Sequence, residues 1–157
     1  MEIKKIALWI AGSILLVAVW LYWWCQPERQ VRRAQGRLIS AFENRDFDAL
    51  AHLLSDDYSD RWHHDKAFVS GECREVRRHF LTLAIERADR GLEMKGDGWL
   101  LQEKLTVKGL GGSIAAVVRD EVNSLSEPFQ MTWHRRSWKP WDWELLSVEQ
   151  PVLEFPR

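Results

Sequence analysis

The stretch that decides the fold is SAFENRDFDALAHLLSDDY, which covers residues 40–58. Apolar residues recur in both of its halves at the spacing of one helix face. The tripeptide NRD separates the two halves, and the side chain of Asp46 is suited to cap the second helix. The pattern therefore predicts a helix over 28–44, a short break, and a second helix over 47–54.

Outward from this stretch, the apolar period changes from helical to alternating. The pattern predicts a third helix over 72–88 and then strands, which we place at 99–107, 114–122, 129–136 and 141–150. Asp97-Gly98 precedes the first of these strands and suits a tight hairpin turn. Three N-terminal helices followed by antiparallel strands predict an α+β fold in which the helices pack on one face of a curved sheet.

Residues 40–58 resemble the opening of the NTF2-like or SnoaL-like cone fold, which begins with a helix, a short break and a second helix. The segment WELLSVE at 143–149 is similar to the closing strand of that family. The resemblance covers nearly all of the chain after the N-terminal apolar run. It implies a bent sheet wrapped against helices around a conical pocket, often in homodimers.

The resemblance does not select one activity, because the cone fold occurs in isomerases, dehydratases, epoxide hydrolases, transport factors and assembly modules. In the steroid-isomerase branch, a catalytic carboxylate follows shortly after an acidic pair. Counting from Asp56-Asp57, Trp62 stands at that position in this chain. This departure argues against an isomerase.

Strand alternation suggests which side chains face the pocket. A carboxylate at Glu103 would lie among apolar neighbours, where its charged form is disfavoured, and this suits a general acid or base. Asp120 also alternates with apolar residues, whereas His134 lies on the more polar side. The catalytic candidates are Glu103, Asp120, His134 and Tyr58, and the predicted pocket residues are Trp62, Phe80, Trp99, Leu101 and Glu103. Ordinary cross-strand ion pairs are the favoured alternative for the two acids, and a partly exposed histidine is the favoured alternative for His134.

Metal, phosphate and nucleic-acid sites are not expected. The spacing of His63, His64, Cys73 and His79 matches no zinc site. The glycines at 109–112 lack the lysine and hydroxyl residue of a phosphate-binding loop. The net charge is −1, which argues against nucleic acid as a partner. We predict no metal and no cofactor.

The N-terminus carries an uncharged apolar run, IALWIAGSILLVAVWLYWW, at residues 6–24. As a helix it is about 28 Å long, close to the roughly 30 Å of a bilayer core. A cleaved secretory signal is the alternative, but the run ends in bulky aromatic residues where a small-residue cleavage site would be needed. The sequence therefore predicts a basic tail over 1–5 and an uncleaved transmembrane helix over 6–25.

The end of this run is predicted to lie at the membrane interface. Tryptophan and tyrosine rings suit the headgroup level, and the arginines that follow can contact anionic lipid. The predicted interface residues are Trp20, Tyr22, Trp23, Trp24, Arg29, Arg32 and Arg33. A solvated helix face is an equal alternative for the arginines. Trp138 and Trp141, at a later turn, are either folded back over the hairpin or free to anchor a partner or a membrane.

The membrane orientation is left open by two conflicting signals. Four arginines follow the apolar run and two lysines precede it, which favours a cytoplasmic domain. A short basic N-terminus favours export instead, and of the two we favour the exported side of a bacterial inner membrane. The remaining chain divides into a juxtamembrane helix start at 26–37, one domain over 28–151, and a C-terminal tail over 152–157.

The function expected from the sequence is a membrane-anchored binding or protein-interaction module without catalysis. The alternative is a small cone-fold enzyme that uses acid–base residues on an apolar substrate. The expected partners are the lipid bilayer, a second copy of the chain bound through the sheet, and a small apolar ligand or a protein.

Overall fold

The computed structural model describes residues 2–152, with side chains from residue 9 onward. The described part does not include Met1, the side chains of residues 2–8, or residues 153–157. Much of the predicted basic tail over 1–5 and of the predicted C-terminal tail over 152–157 therefore lies outside it. Along the chain the elements are α1 (Glu2–Trp24), α2 (Pro27–Glu43), α3 (Phe47–Leu53), α4 (Lys66–Arg78), β1 (Phe80–Lys95), β2 (Gly98–Gly111), α5 (Ser113–Ser124), β3 (Phe129–Arg135) and β4 (Trp143–Glu149).

The four strands form one antiparallel sheet in the order β1-β2-β3-β4. The predicted turn before β2 is confirmed, because Lys95 pairs with Gly98 across a two-residue connection. Gly96 has a φ of 64°, which glycine adopts without strain. At Gly98 a Cβ atom would lie 2.7 Å from the Trp133 carbonyl oxygen, so a glycine is required where β3 approaches β2.

Helices α2 to α5 pack on one face of this sheet, which confirms the predicted α+β architecture. Asp46 caps α3 by accepting a hydrogen bond from the Ala49 amide at 3.0 Å. Asp65 caps α4 in the same way through the Phe68 amide. The main core between helices and sheet is formed by apolar residues of α2, α3 and the last three strands, namely Val31, Ala34, Leu50, Leu54, Leu101, Met131, Trp133, Trp143 and Leu145.

The predicted third helix over 72–88 is wrong in its second half. The helix, α4, begins at Lys66 and ends at Arg78, and residues from Phe80 onward form β1. The apolar residues after position 76 satisfy both a helical and an alternating pattern over so short a window. Pairing of β1 with β2 along its whole length decides in favour of the strand.

The predicted strand over 114–122 is also wrong, because these residues form the helix α5. Ala115 and its partly buried neighbours Val118 and Val122 pack on Phe80 and Val107. The end of α5 is fixed to β2 because the Asn123 side chain donates to the Val107 carbonyl oxygen and accepts from the Val107 amide. The apolar run of α5 fits either period, and this packing selects the helix.

The first helix, α1, presents its apolar side chains outward: Trp9, Leu16 and Tyr22 are each more than 70 % exposed. Among the described residues, no single helix is both long and apolar enough to cross a membrane. One bent pair, Trp9–Trp24 with Pro27–Glu43, meets that condition on length and composition, with a bend of 60°.

Candidate functional site

The concave side of the sheet encloses an apolar cavity of about 280 Å³. Helices α2, α4 and α5 form one side of the cavity and the inner face of the sheet forms the other. Almost all of its lining atoms are hydrocarbon, contributed among others by Leu38, Phe42, Val76, Phe80, Leu105 and Val122. Such a space is chemically matched to an apolar ligand.

A second cavity of about 580 Å³ adjoins the first and shares Phe42, Tyr58, Val69 and Cys73 with it. Its lining adds polar groups that the inner cavity lacks, namely Asp60, His64, Glu72 and Gln150. We call this second cavity the mouth. The two together form a cone that is apolar inside and polar at its opening.

Asp60 organises the loop at the mouth. One carboxylate oxygen, Oδ1, accepts hydrogen bonds from the backbone amides of Trp62 and His64, each at 2.9 Å. The other, Oδ2, lies 2.9 Å from Nδ1 of His64. The His64 ring also stacks on Phe68, with 4.2 Å between ring centroids. The imidazole is therefore held in one orientation beside a nearly buried carboxylate, an arrangement that can hold or transfer a proton.

Two further titratable groups, Tyr58 and Cys73, line both cavities. Burial raises the pKa of Cys73 to about 11, and the nearby Glu72 carboxylate adds to this effect. Burial also raises the pKa of Tyr58, with a contribution from Asp60. Both groups are therefore neutral at physiological pH, and the Cys73 thiol has little nucleophilic character.

Only some of the residues predicted to form the pocket line a cavity in the structure. Phe80 lines the inner cavity and Trp62 lines the mouth. Leu101 is fully buried in the core and Trp99 packs against that core, so neither lines either cavity. Sequence alternation placed them on the correct face of the sheet, but the cavity occupies only part of that face.

Glu103 is buried on this inner face, 1 % exposed, but it lines neither cavity. Its carboxylate lies 3.5 Å from the Arg87 guanidinium. Burial raises the pKa of Glu103, and the attraction of Arg87 offsets part of that effect. Glu103 therefore forms a cross-strand ion pair with Arg87, away from the space where a ligand would sit.

The other catalytic candidates have separate partners. Asp120 lies on α5 rather than on a strand, is 69 % exposed in its side chain, and pairs with Arg119 at 2.9 Å. His134 contacts Glu144, with 2.5 Å between Nε2 and Oε1. The structure therefore does not bring Tyr58, Glu103, Asp120 and His134 into one site.

Glu144, which sequence analysis missed, is the centre of a buried polar cluster. The Ser55 hydroxyl donates to its Oε1 at 2.9 Å, and Arg136 Nε donates to its Oε2. Burial alone would raise the pKa of Glu144, but the contacts with His134, Arg136 and Ser55 outweigh it and hold the pKa below its usual range. The cluster joins the end of α3 to the β3–β4 hairpin and lies outside the cavity lining.

The predicted interface residues gather where α1 meets α2. The Trp20 and Trp24 rings stack with 6.3 Å between centroids. Arg29 lies 3.4 Å above the Trp23 ring and Arg33 lies 4.7 Å above the Trp24 ring. The exception is the Arg32 side chain, which pairs with Asp89 on β1 at 2.5 Å and so connects α2 to the sheet.

No protein-family model matches the chain, and no curated protein matches it in sequence. Solved structures do match. Bd1075 of Bdellovibrio bacteriovorus has a TM-score of 0.57 at 7 % identity, over 77 % of this chain and 38 % of its own. A candidate dehydratase of the NTF2-like family from Streptomyces avermitilis has a TM-score of 0.56 at 18 % identity, over 78 % and 93 %. An NTF2-like protein of unknown function from Pseudomonas putida has a TM-score of 0.55 at 14 % identity, over 77 % and 82 %.

These identities are low, so the similarity bears on the fold alone. It supports the NTF2-like fold that the sequence resemblance implied. The chain spans 38 % of the length of Bd1075.

Proposed function

We propose that this protein is a membrane-tethered NTF2-like domain that binds a small apolar ligand in its cone and does not catalyse a reaction. The observation that carries the proposal is the hydrocarbon-lined cavity of about 280 Å³ and the adjoining mouth of about 580 Å³. Ligand sites of small molecules have volumes of about 300–1,000 Å³ and are mostly apolar, with a few polar groups that fix orientation.

The tether is supported by the apolar surface of α1. Its side chains from Trp9 to Trp23 are largely exposed and contact little of the domain. Exposure of apolar surface to water costs about 25 cal/mol of free energy per Å². A bilayer covers such a helix, and the aromatic residues at its end suit the headgroup level. The exported side of a bacterial inner membrane is the side that we propose for the domain.

Binding can be tested on residues 26–157 with a fluorescent fatty acid, cis-parinaric acid, as the probe. Val69 lines both cavities, so Val69→Trp should fill the space and lower probe affinity at least about tenfold, or about 1.4 kcal/mol. Val117→Trp is the matched control, since Val117 is 68 % exposed on α5. Equal affinities for both variants and the unaltered fragment would contradict binding in the cone.

One observation favours a second function, an enzyme acting on a small apolar substrate. His64 is held by Asp60 at the mouth of the cavity, where its ring could accept a proton from a bound molecule. Ligand recovered from the protein should then be converted by the unaltered chain but not by His64→Gln. Return of the ligand unchanged after incubation favours the binding function.

A homodimer formed through the sheet remains a prediction. Light scattering of the purified chain would show it as a doubled mass.

A further inference from the structure

A short loop joins β3 to β4, and its residues 137–141 form what we call the hairpin tip. Trp138 in this tip is 83 % exposed, and Trp141 is 46 % exposed. The loop is held by its own hydrogen bonds: Ser137 donates to Asp142 at 2.6 Å, and the Trp143 indole donates to the Pro140 carbonyl oxygen at 2.8 Å. The Trp138 ring is therefore presented outward by an ordered loop.

The hairpin tip lies beside the junction of α1 and α2. The Trp141 ring is 6.3 Å from the Trp24 ring, which ends the apolar helix. Arg37 of α2 donates to the Trp141 carbonyl oxygen at 3.1 Å. Two separate contacts thus hold the tip next to the residues predicted to lie at a membrane surface.

The bend between α1 and α2 fixes the height of the tip above a bilayer. If α1 runs along the bilayer normal, a bend of 60° makes α2 rise at half its axial rate, about 0.75 Å per residue. Arg37, ten residues after Pro27, then lies about 8 Å above the start of α2. The headgroup layer is about 5–8 Å thick on each side. Trp141, bonded to Arg37, therefore lies at the level of the headgroups.

The charges around the tip are those that favour an anionic lipid surface. Arg29 and Arg33 lie over the tryptophans at the end of α1, and Lys139 is exposed at the tip itself. Asp142 beside the tip is engaged by Ser137 and by Arg136 at 3.8 Å. Exposed indoles next to cationic side chains are the combination that the headgroup layer binds.

The geometry points to a second membrane contact: the hairpin tip inserts Trp138 into the headgroup layer of an anionic bilayer and so docks the domain at a fixed tilt. This inference rests on the proposed tether, which brings the tip to the surface. It goes beyond the tether because a transmembrane helix alone requires no contact between the domain and the headgroup layer.

The test uses the full chain with Cys25→Ser and Cys73→Ser, carrying one new cysteine labelled with the fluorophore NBD. The labelled positions are Trp138→Cys, the tip; Lys139→Cys, a second tip position; and Val117→Cys, the control on α5. The control position is far from the tip. Trp99 of β2 pairs with Trp133, four residues before the tip, and Val107, on which α5 packs, lies about 26 Å further along β2. The protein is placed in nanodiscs of phosphatidylcholine and phosphatidylglycerol that contain a lipid with a nitroxide on its headgroup.

We expect headgroup quenching at positions 138 and 139 to exceed that at position 117 about threefold or more, with blue-shifted emission at 138. A label at Leu15→Cys, quenched by a nitroxide in mid-chain, reports the tether separately. Quenching at 15 with equal, low quenching at 138, 139 and 117 would overturn the tip contact and leave the tether standing. Absence of quenching at 15 would overturn the tether and the tip contact with it.

Discussion

Two apolar surfaces of this molecule face in opposite directions. Trp9 and Leu16 of α1 are 78 % and 72 % exposed, whereas Leu54 and Phe80 of the cone are 1 % and 2 % exposed. Both surfaces are unfavourable in water, at about 25 cal/mol per Å². The outward surface follows the helix α1, whereas the inward surface encloses a space of small-molecule size. Whether α1 anchors the chain and whether the cone binds a ligand are thus two questions that can be tested separately.

Deletion of residues 1–25 tests this separation with the largest expected effect. We expect the protein to move entirely from the membrane fraction to the soluble fraction, because the deletion removes the outward apolar surface. The fragment should keep the circular-dichroism spectrum of an α+β domain, since the main core is built from Val31 onward. An unfolded spectrum would show that the two surfaces depend on each other.

Truncation inside the cone tests how much the inward surface contributes to stability. Phe80→Ala should lower the free energy of unfolding by about 3–5 kcal/mol, because the ring is almost fully buried between β2 and α5. Leu81→Ala is the neighbouring control; Leu81 is 79 % exposed, and a change within about 0.5 kcal/mol is expected. Urea unfolding of residues 26–157 measures both. Similar losses of unfolding free energy for the two variants would contradict the assignment of Phe80 to the core side of β1 and Leu81 to the solvent side.

Substitution of Glu144 tests how much its polar cluster contributes to holding the β3–β4 hairpin against the end of α3. Glu144→Gln should lower the free energy of unfolding by about 1.5–3 kcal/mol at pH 7, because charged hydrogen bonds to Ser55 and Arg136 are weakened. The folded state holds the pKa of Glu144 low, so this stabilisation is present above the ordinary value of 4.5 and is lost as the pH falls through the folded pKa. Urea midpoints of the two proteins should therefore converge in acid. A constant difference between pH 7 and pH 3 would count against the charged cluster.

Glu103 should show the opposite pH dependence and the smallest effect. The folded state raises the pKa of Glu103, so its protonated form contributes stability below the ordinary value of 4.5, and that stability is lost as the pH rises through the folded pKa. Glu103→Gln should therefore be more stable than the unaltered fragment at pH 8, by about 1 kcal/mol, and should approach it in acid. Urea unfolding of both proteins at pH 8 and in acid measures the difference in unfolding free energy. A variant that is less stable at pH 8 would show that the ion pair with Arg87 outweighs burial.

Much of the fold could be predicted from the sequence, because helix breaks and turns have local causes. Asp46 and the glycines around Asp97 act on their immediate neighbours, so α2, α3 and the β1–β2 turn were predicted correctly. The segments at 80–88 and 114–122 were assigned the wrong element, since their apolar residues fit both periods. Their conformations are decided by distant partners, β2 in both cases.

The candidate site was less predictable. Trp62 and Phe80 line the cavities as predicted, whereas Glu103 and Leu101 lie on the inner face of the sheet without reaching either cavity. The contact of Asp60 with His64 depends on a loop in which His63 has a positive φ of 64°, which no periodic pattern reveals. Glu144 was missed because its partners Ser55 and Arg136 lie far from it in sequence or across the hairpin turn.

The central claim is that the inward apolar surface holds a small ligand, and native mass spectrometry of residues 26–157, purified from cells without detergent, tests it most directly. We predict a mass above that of the polypeptide for the unaltered fragment and for Val117→Trp, and the bare polypeptide mass for Val69→Trp, whose added ring fills the shared lining of both cavities. The bare mass for all three fragments would contradict the claim.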